Sequence, residues 1–279
     1  MHVLALGAPG SDDVRLVGAK AANLARLAGA CRVPPGFVIP ARSAAGPLTD
    51  EVWHAVVEAY HALAAEVADP DVAVAVRSSA VDEDGDAASF AGQHATILGV
   101  RGETALRAAV IEVLASAVTP AALAYRAAHN LPAEDVRIAV LVQQLVPAEV
   151  SAVAFSQNVV AGDPDEVVIN ASWGLGEPIV SGEVTPDTYL VSALEFTILR
   201  RDLADKTTMR VRTPGGVATL AVPDQLRRTP ALADAQAVAI AHLACDLERT
   251  MGWPVDIECA YAGGLLYLLQ CRPITTRAA

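Results

Sequence analysis

Short apolar strands alternate with amphipathic helices along this chain, and that alternation restricts it to folds in which helices pack against sheets. Residues 72–76 (VAVAV) form a β-branched run typical of a buried strand, and the run ends at Arg77-Ser78-Ser79. The preceding helix has one apolar stripe, formed by Val52, Val56, Tyr60, Leu63 and Val67. Further strands are predicted at residues 138–142, 151–155 and 166–169. We therefore expect an α/β (α+β) protein.

Apolar spacing and composition also predict the structure of the remaining segments. Residues 18–29 and 231–251 have the apolar spacing of helices, whereas residues 195–199 favour a strand. Residues 81–93 are small, acidic and Gly-containing, which predicts a loop or flap. The polar stretch around Gly215-Gly216 predicts an exposed loop.

Charge and composition exclude several classes of function. With 279 residues, the chain can bury one large domain or two small lobes. Its net charge of −12 would repel nucleic acids and anionic membranes, so neither is an expected partner. The 4 cysteines show no CxxC pairing, which favours core residues in a reducing compartment. Because we find no signal peptide and no apolar run near the roughly 20 residues of a membrane span, we expect a cytoplasmic protein.

Two basic residues near the ends of predicted elements are candidates for anion binding. The Arg77 guanidinium, where an apolar strand meets two serines, can donate in bidentate fashion to phosphate oxygens. Lys20 falls in the first turn of a predicted helix, where free backbone N–H groups favour an anion. The alternative for each is an exposed or ion-paired surface residue.

The last two predicted strands, residues 256–262 and 265–272, carry polar residues among apolar ones. Glu258 and Gln270 offer carboxylate and amide oxygens, which suit Mg²⁺ shared with phosphates. Arg272 could hold a terminal phosphate and neutralise charge during its transfer. The alternative is a solvent-facing strand edge.

The connection between these strands decides whether one metal can reach both Glu258 and Gln270. A two-residue turn at Gly263-Gly264 would pair Glu258 with Leu269 and put Gln270 on the opposite face. A three-residue connection or a β-bulge would instead place Glu258 directly across from Gln270. We therefore predict an odd-numbered loop or a bulge, with Cys259 and Cys271 on the opposite, apolar face.

Taken together, the segments resemble the nucleotide-binding domain of the phosphoenolpyruvate synthase, pyruvate phosphate dikinase and rifampin phosphotransferase family. In chain order the resembling blocks are residues 18–24 (GAKAANL), 33–37 (VPPGF), 74–80 (VAVRSSA), 88–93 (ASFAGQ), 142–147 (VQQLVP), 169–177 (INASWGLGE), 184–189 (VTPDTY), 256–258 (DIE) and 268–275 (LLQCRPIT). The family order is kept from one end of the chain to the other, which is far more specific than any single block.

The resemblance implies an ATP-grasp type of fold, with mixed and antiparallel sheets in two lobes, roughly 1–138 and 139–279, and ATP bound between them. It assigns Lys20 and Arg77 to the nucleotide phosphates, and Glu258 and Gln270 to Mg²⁺. Arg272 would reach the terminal phosphate, so that Lys20, Arg77 and Arg272 are the expected catalytic residues. The remaining nucleotide-binding residues would be Ser89, Gly92 and Gln93 of a closing flap, and Gln143 beside the adenine. Trp173 and Glu177 are expected to pack the lobes rather than to bind ligand.

Two departures from the family bear on function. Ala19 and Ala21 stand where the family favours glycine, so the backbone beside Lys20 would approach phosphate less closely. We also find no segment like the family's swivelling histidine domain or its phosphoenolpyruvate-binding barrel. The leading expectation is therefore an ATP-dependent phosphotransferase subunit that phosphorylates a histidine on a separate phosphocarrier or swivel-domain protein. The alternatives are a stand-alone ATP-grasp kinase or ligase acting on a small molecule, and a non-catalytic ATP-binding regulator.

Overall fold

The computed structural model describes residues 2–41, 48–81, 84–85, 88–89, 95–128 and 136–274. The chain divides into two compact units, residues 1–145 and 146–279. The division falls after Leu145 rather than after residue 138, because the strand formed by residues 138–144 pairs entirely within the first unit.

The first unit combines helices with an antiparallel sheet. Its helices are α1 (Val14–Leu27), α2 (Asp50–Glu66), α3 (Gly102–Ser116) and α4 (Pro120–Ala128). Its strands are β1 (Leu4–Ala5), β2 (Gly36–Ile39), β3 (Val74–Ala80), β4 (Asp84–Gly85), β5 (Ala88–Ser89), β6 (Thr96–Val100) and β7 (Ile138–Gln144). Five of the strands form one sheet in the order β1-β2-β7-β3-β6, and β4 pairs with β5.

One large apolar cluster of the first unit lies on one face of this sheet. Side chains alternate along a strand, so Val74 and Val76 of β3 share a face and pack in one apolar cluster with residues of α2 and α3. Tyr60 of α2 tightens that cluster, because its hydroxyl donates to the Val72 carbonyl at 2.8 Å and accepts from the Gly102 N–H at 3.0 Å. The opposite face of β3 packs against α1.

The predicted end of the β-branched strand at Arg77 is wrong. β3 continues to Ala80, and Arg77, Ser78 and Ser79 pair with β7 as regularly as the valines before them. Strand pairing satisfies the backbone hydrogen bonds of these polar residues, so burial of their backbone needs no apolar side chains. Arg77 therefore projects from the middle of a strand.

One segment corrects the expectation about membrane spans. Gly102–Ala124 has the length and composition of a membrane-crossing helix. Core helices of soluble proteins share this length and composition. Here the segment is α3, a turn, and the start of α4, where the Thr119 hydroxyl caps the new helix by accepting from the Ala122 N–H at 3.2 Å. Leu106, Val110 and Val113 of α3 are fully buried in the first unit's core.

The second unit is built on an antiparallel six-stranded sheet. Its strands are β8 (Val150–Phe155), β9 (Glu166–Trp173), β10 (Asp187–Ser192), β11 (Ile198–Asp202), β12 (Thr208–Thr213), β13 (Gly216–Ala221), β14 (Val255–Ala262) and β15 (Leu265–Pro273). Its helices are α5 (Glu177–Val180), α6 (Asp224–Arg227) and α7 (Asp234–Met251). The sheet order is β11-β10-β9-β8-β14-β15, and α7 packs against its central strands.

Two sequence predictions for this unit need correction. The loop expected around Gly215-Gly216 is the turn of a hairpin, because β12 pairs with β13 from Thr208 and Ala221 inward. The strand expected at residues 195–199 lies at Ile198–Asp202, because Phe196 takes a left-handed conformation (φ 53°) in the turn before it. Both segments are partly exposed, so the sequence carries little apolar periodicity to place them.

A buried ion pair holds the second unit together beside β10. Lys206 Nζ lies 2.6 Å from Asp187 Oδ1, and both side chains are fully inaccessible to solvent. The two Asp187 oxygens also accept from the backbone N–H groups of Ala204, at 2.9 Å, and Ala231, at 2.8 Å. The aspartate of the VTPDTY block thus ties two chain segments to the sheet.

Candidate functional site

Gly18 sets the position of Lys20. α1 is interrupted at Gly18, which has φ 74° and ψ 166°, so the helix restarts just before Lys20. A Cβ built on Gly18 would lie 2.1 Å from the Ser79 carbonyl oxygen, closer than any real contact. Only glycine combines this conformation with this approach. The interruption therefore lets α1 lie directly on β3.

Lys20 and Arg77 are brought to the same region of the first unit. Lys20 Nζ lies 3.5 Å from the carbonyl oxygen of Ser78, the residue next to Arg77 in β3. Arg77 is partly exposed and projects from the same face as Ser79, whose hydroxyl contacts α1. Arg77 therefore projects from the α1 face of β3, and Lys20 extends from α1 to the backbone of the next residue of that strand.

The alanines beside Lys20 are core residues. Ala19 and Ala21 are buried, and the Ala21 N–H donates to the Ser79 hydroxyl at 3.1 Å. This amide of the restarted helix is thus used inside the protein and is not available to an anion. Phosphate recognition at this position would depend on the Lys20 side chain more than on the helix N-terminus.

Replacing Gly18 tests this arrangement. We expect Gly18→Ala to lower the free energy of unfolding by about 3 kcal/mol or more, since left-handed strain alone costs roughly 1–3 kcal/mol and the backbone clash adds to it. Gly10→Ala is the matched control, because Gly10 also has a positive φ (88°) but nothing within 4 Å of an added Cβ. Urea denaturation would measure both. Equal losses would show that the close approach to Ser79 does not matter.

The expected flap is only partly described. Ser89 lies in β5, paired with Asp84 of β4, whereas Gly92 and Gln93 lie outside the described residues. Their assignment to the nucleotide stays a prediction.

Gln143 has a structural contact that the sequence did not indicate. Its side chain is 2% exposed, and its Nε2 donates to the Pro34 carbonyl oxygen at 2.9 Å. It thereby ties the VPPGF block to β7. A contact between Gln143 and adenine stays a prediction, and this bond gives the residue a separate reason to be present.

The β14–β15 hairpin has the predicted bulge but not the predicted three-residue loop. Ala262 pairs with Leu265, so Gly263-Gly264 is a two-residue turn, and of the two predicted alternatives the chain adopts the bulge. The register shifts between Glu258 and Cys259, and Glu258 lies directly opposite Gln270. Directly paired residues project from one face, so the predicted shared face of Glu258 and Gln270 is confirmed.

The two cysteines of this hairpin are ordinary core residues, as predicted. Cys259 and Cys271 are both buried, and burial raises the pKa of the Cys259 thiol to about 12. A thiol held neutral in this way is a poor nucleophile and a poor metal ligand.

Arg272 is oriented by the carboxylate of Asp256, a residue to which the sequence assigns no role. Asp256 pairs with Arg272 two residues along from the Glu258–Gln270 pair, so all four side chains share a face. Arg272 Nε and Nη2 lie 2.8 and 2.7 Å from Asp256 Oδ2. Burial raises the pKa of Asp256, the Arg272 charge opposes that rise, and the nearby Glu258 adds to it. Asp256 and Glu258 are two residues apart in a predicted strand, so the sequence alone indicates that their side chains share a face.

Glu258 and Gln270 are better suited to Mg²⁺ than to a metal ion whose ligands all come from the protein. Glu258 offers a carboxylate oxygen and Gln270, 7% exposed, an amide oxygen on the same face. Among the residues that the structure describes, no group of three or more His, Cys, Asp or Glu side chains could hold a metal ion. Mg²⁺ takes one or two protein oxygens and completes its shell with phosphates and water, which fits this pair.

Trp173 and Glu177 make packing contacts within the second unit. Trp173 Nε1 donates to the Leu226 carbonyl oxygen at 3.1 Å, and Glu177 lies 3.1 Å from the Arg210 guanidinium. Between them, a Cβ on Gly174 would lie 2.2 Å from the Arg210 carbonyl oxygen. The SWGLGE block therefore holds α6 and β12 against β9, and its contacts account for these residues without a ligand.

Comparison with known proteins identifies related chains. Residues 43–279 match the family described as the pyruvate phosphate dikinase AMP/ATP-binding domain. The chain is 35% identical over 308 residues to a probable phosphoenolpyruvate synthase of Methanothermobacter thermautotrophicus, an alignment covering 96% of this chain and 45% of that protein. A probable phosphoenolpyruvate synthase of Methanocaldococcus jannaschii is 40% identical over 230 residues, covering 82% of this chain and 19% of that protein. The uncharacterized phosphotransferase YvkC of Bacillus subtilis is 34% identical over 287 residues, covering 95% and 34%.

The chain spans less than half the length of each of these relatives. The family match nevertheless takes in most of the chain, including β3, β7 and the whole β14–β15 hairpin. Mixed helices and antiparallel sheets are also what the ATP-grasp type of fold requires. This chain therefore belongs to the pyruvate phosphate dikinase AMP/ATP-binding domain family.

Proposed function

We propose that the chain binds ATP with Mg²⁺ and passes a phosphoryl group to a histidine on a separate phosphocarrier or swivel-domain protein in the cytoplasm. The observation that carries the proposal is the Glu258–Gln270 pair, with Arg272 on the same face of the β14–β15 hairpin. A domain of this family with those groups together has what phosphoryl transfer requires, which is metal binding and cationic donors. The greater length of the relatives supports an acceptor outside the described part of the chain.

Each residue has a defined task in this proposal. The Glu258 carboxylate and the Gln270 amide oxygen would hold Mg²⁺, which would neutralise the charge that develops on the phosphates during transfer. Arg272 donates to the phosphoryl group in transit, and Asp256 fixes the plane of its guanidinium. Lys20 and Arg77 bind the nucleotide phosphates from the α1 face of β3, as a compact ammonium and a planar fork.

The metal requirement is the direct test of the proposed site. We expect Mg·ATP to bind this chain at least about 10-fold more tightly than ATP in excess chelator, because a net charge of −12 opposes a bare triphosphate. Isothermal titration with and without Mg²⁺ measures the difference. Equal affinities in the two conditions would remove Glu258 and Gln270 as metal ligands.

The two arginines should not tolerate lysine. We expect Arg77→Lys and Arg272→Lys each to lower turnover by about 10-fold or more, since a bidentate contact worth roughly 1.4 kcal/mol is lost while the charge stays. Arg249→Lys is the control, because Arg249 is exposed and its ion pair is with Asp246 on its own helix. Turnover within twofold of the control would place the substituted arginine outside the reaction.

The acceptor is identified by its products. We expect this chain alone to bind ATP but turn it over slowly, and a histidine-bearing partner to accelerate turnover and become phosphorylated. Product analysis for AMP and ADP, with and without the partner, measures both. Fast turnover stimulated by a small metabolite alone would support a stand-alone kinase or ligase instead. Binding without turnover in any combination would support a regulator.

A further inference from the structure

The Glu258–Gln270 pair is one end of a row of side chains that crosses the second unit's sheet. Glu258 pairs with Val153 of β8, Val153 with Asn170 of β9, and Asn170 with Thr188 of β10. Direct partners project from one face, so the whole row shares the face of Glu258. The opposite face is apolar and fully buried where α7 packs, as at Ala154, Ile169 and Ile257.

Asn170 is held in one orientation by its neighbour in the row. The Thr188 hydroxyl donates to Asn170 Oδ1 at 2.9 Å. This bond occupies the carboxamide oxygen on the β10 side, so Nδ2 and its two donors point away from β10. Within the described part of the chain, no hydrogen bond to Nδ2 is present. Since Asn170 is partly exposed, these donors are open to a ligand on the face that carries Glu258.

The spacing of the row matches an extended anion. Neighbouring strands lie about 4.8 Å apart, so Asn170, two strands from Glu258, is roughly 10 Å from it. A metal ion held by Glu258 and Gln270 and the phosphates that it binds can span that gap. Val153 lies between them and offers no polar group to compete. The row thus has a metal site at one end and neutral donors at the other.

We propose that Asn170 binds a phosphate oxygen of the nucleotide through Nδ2, and that Thr188 is a positioning residue that orients its carboxamide. This inference rests on the proposed function, because the anion is the polyphosphate of Mg·ATP. Neutral donors suit this position because they bind phosphate oxygen without competing with the metal for Glu258.

Asn170→Asp is the sharpest test. The substitution keeps the shape, removes both donors and turns a negative charge toward the phosphates, so we expect the Kd for Mg·ATP to rise by about 10-fold or more. Gln225→Glu makes the same chemical change on exposed α6 and should leave Kd unchanged. If Asn170 Oδ1 were instead a metal ligand, a carboxylate in its place would bind Mg²⁺ more strongly and the Kd for Mg·ATP would fall. That result would overturn the proposal, as would an unchanged Kd.

Thr188→Val separates positioning from direct binding. The substitution keeps the side-chain shape and removes the hydroxyl, so we expect Kd for Mg·ATP to rise about 3- to 10-fold. In an Asn170→Ala background the same change should have no further effect, because the group it positions is gone. Additive losses would show that Thr188 acts on its own and would contradict its assigned role. Thermal unfolding of each variant checks that the sheet is intact.

The outcomes distinguish this inference from the function on which it rests. If the unsubstituted chain does not bind Mg·ATP, both fail. If it binds, and Glu258→Gln weakens binding while Asn170→Asp does not, the proposed function survives and the role of Asn170 is wrong.

Discussion

Glu258→Gln should abolish most phosphoryl transfer, lowering turnover by about 100-fold or more, while the protein stays folded. The substitution retains an oxygen and the side-chain volume but removes the charge that binds the metal, and losing one preorganised electrostatic group typically costs roughly 10²–10³ in rate. Glu258 is the carboxylate directly opposite Gln270, and the other carboxylate of the hairpin, Asp256, lies opposite Arg272. Asp256 is already committed to Arg272.

The effect on stability should have the opposite sign. Burial raises the pKa of Asp256, and the charge of Glu258 raises it further. An aspartate whose folded pKa exceeds its unfolded value destabilises the native state above that pKa, so removing Glu258 should leave stability at neutral pH unchanged or slightly higher. A melting temperature equal to or above that of the parent, with turnover lost, is the expected combination.

Glu195→Gln is the matched control for this prediction. Glu195 is exposed in the turn before β11, in the same unit, and loses the same charge. Turnover is measured as phosphate transfer to the partner, or as ATP consumption where the partner is lacking. Parent-like turnover of Glu258→Gln together with parent-like Mg²⁺ dependence would remove the metal assignment.

The sequence predicted the shared face of Glu258 and Gln270 but not how the chain achieves it. Alternation of polar and apolar residues fixes which side chains share a face, and hence that one extra residue is needed. A longer loop and a bulge satisfy that requirement equally, and no local pattern in the sequence distinguishes them. The face was predictable for that reason, and the position of the extra residue was not.

The elements that were missed carry weak patterns for physical reasons. β12 and β13 are exposed or only partly buried along their length, so the apolar alternation that marks them is short, as at Met209 and Val211 of β12. Arg77 was placed at a strand end because a buried strand was expected to remain apolar, but its backbone is paired regardless of its side chain. Asn170 lies in residues 169–177, which resemble the family, but the sequence alone indicates no role for it. Only the strand order shows that it lies in line with Glu258.

The burial of Lys206 is the clearest case of information that only the fold supplies. In the sequence it follows Asp205 in a polar stretch and has the pattern of a solvated surface residue. In the structure it is fully buried against Asp187. The partner is distant in sequence, and no spacing rule connects the two, so their pairing appears only when β10 and the segment after β11 are placed together.

Removing one partner of this pair should give the largest stability loss in the second unit. We expect Lys206→Met to lower the free energy of unfolding by about 3–5 kcal/mol, because it leaves the Asp187 charge buried without its counter-ion. Asp187→Leu should cost more, since the backbone N–H groups of Ala204 and Ala231 would also lose their acceptors. The order of the two losses is therefore part of the prediction.

The measurement must report on the second unit alone, and the chain offers a way to do so. Trp53 lies in the first unit, whereas Trp173 and Trp253 lie in the second, so a Trp53→Phe background confines tryptophan fluorescence to the unit that holds the pair. Arg200→Met is the control, because the Arg200–Asp202 pair is exposed and such pairs contribute about 0–1 kcal/mol. If Lys206→Met unfolds in urea at the same concentration as this control, the buried pair does not stabilise the second unit. Since the pair belongs to the VTPDTY block, such a result would also leave the aspartate of that block without its structural explanation, and a role in binding would then have to account for it.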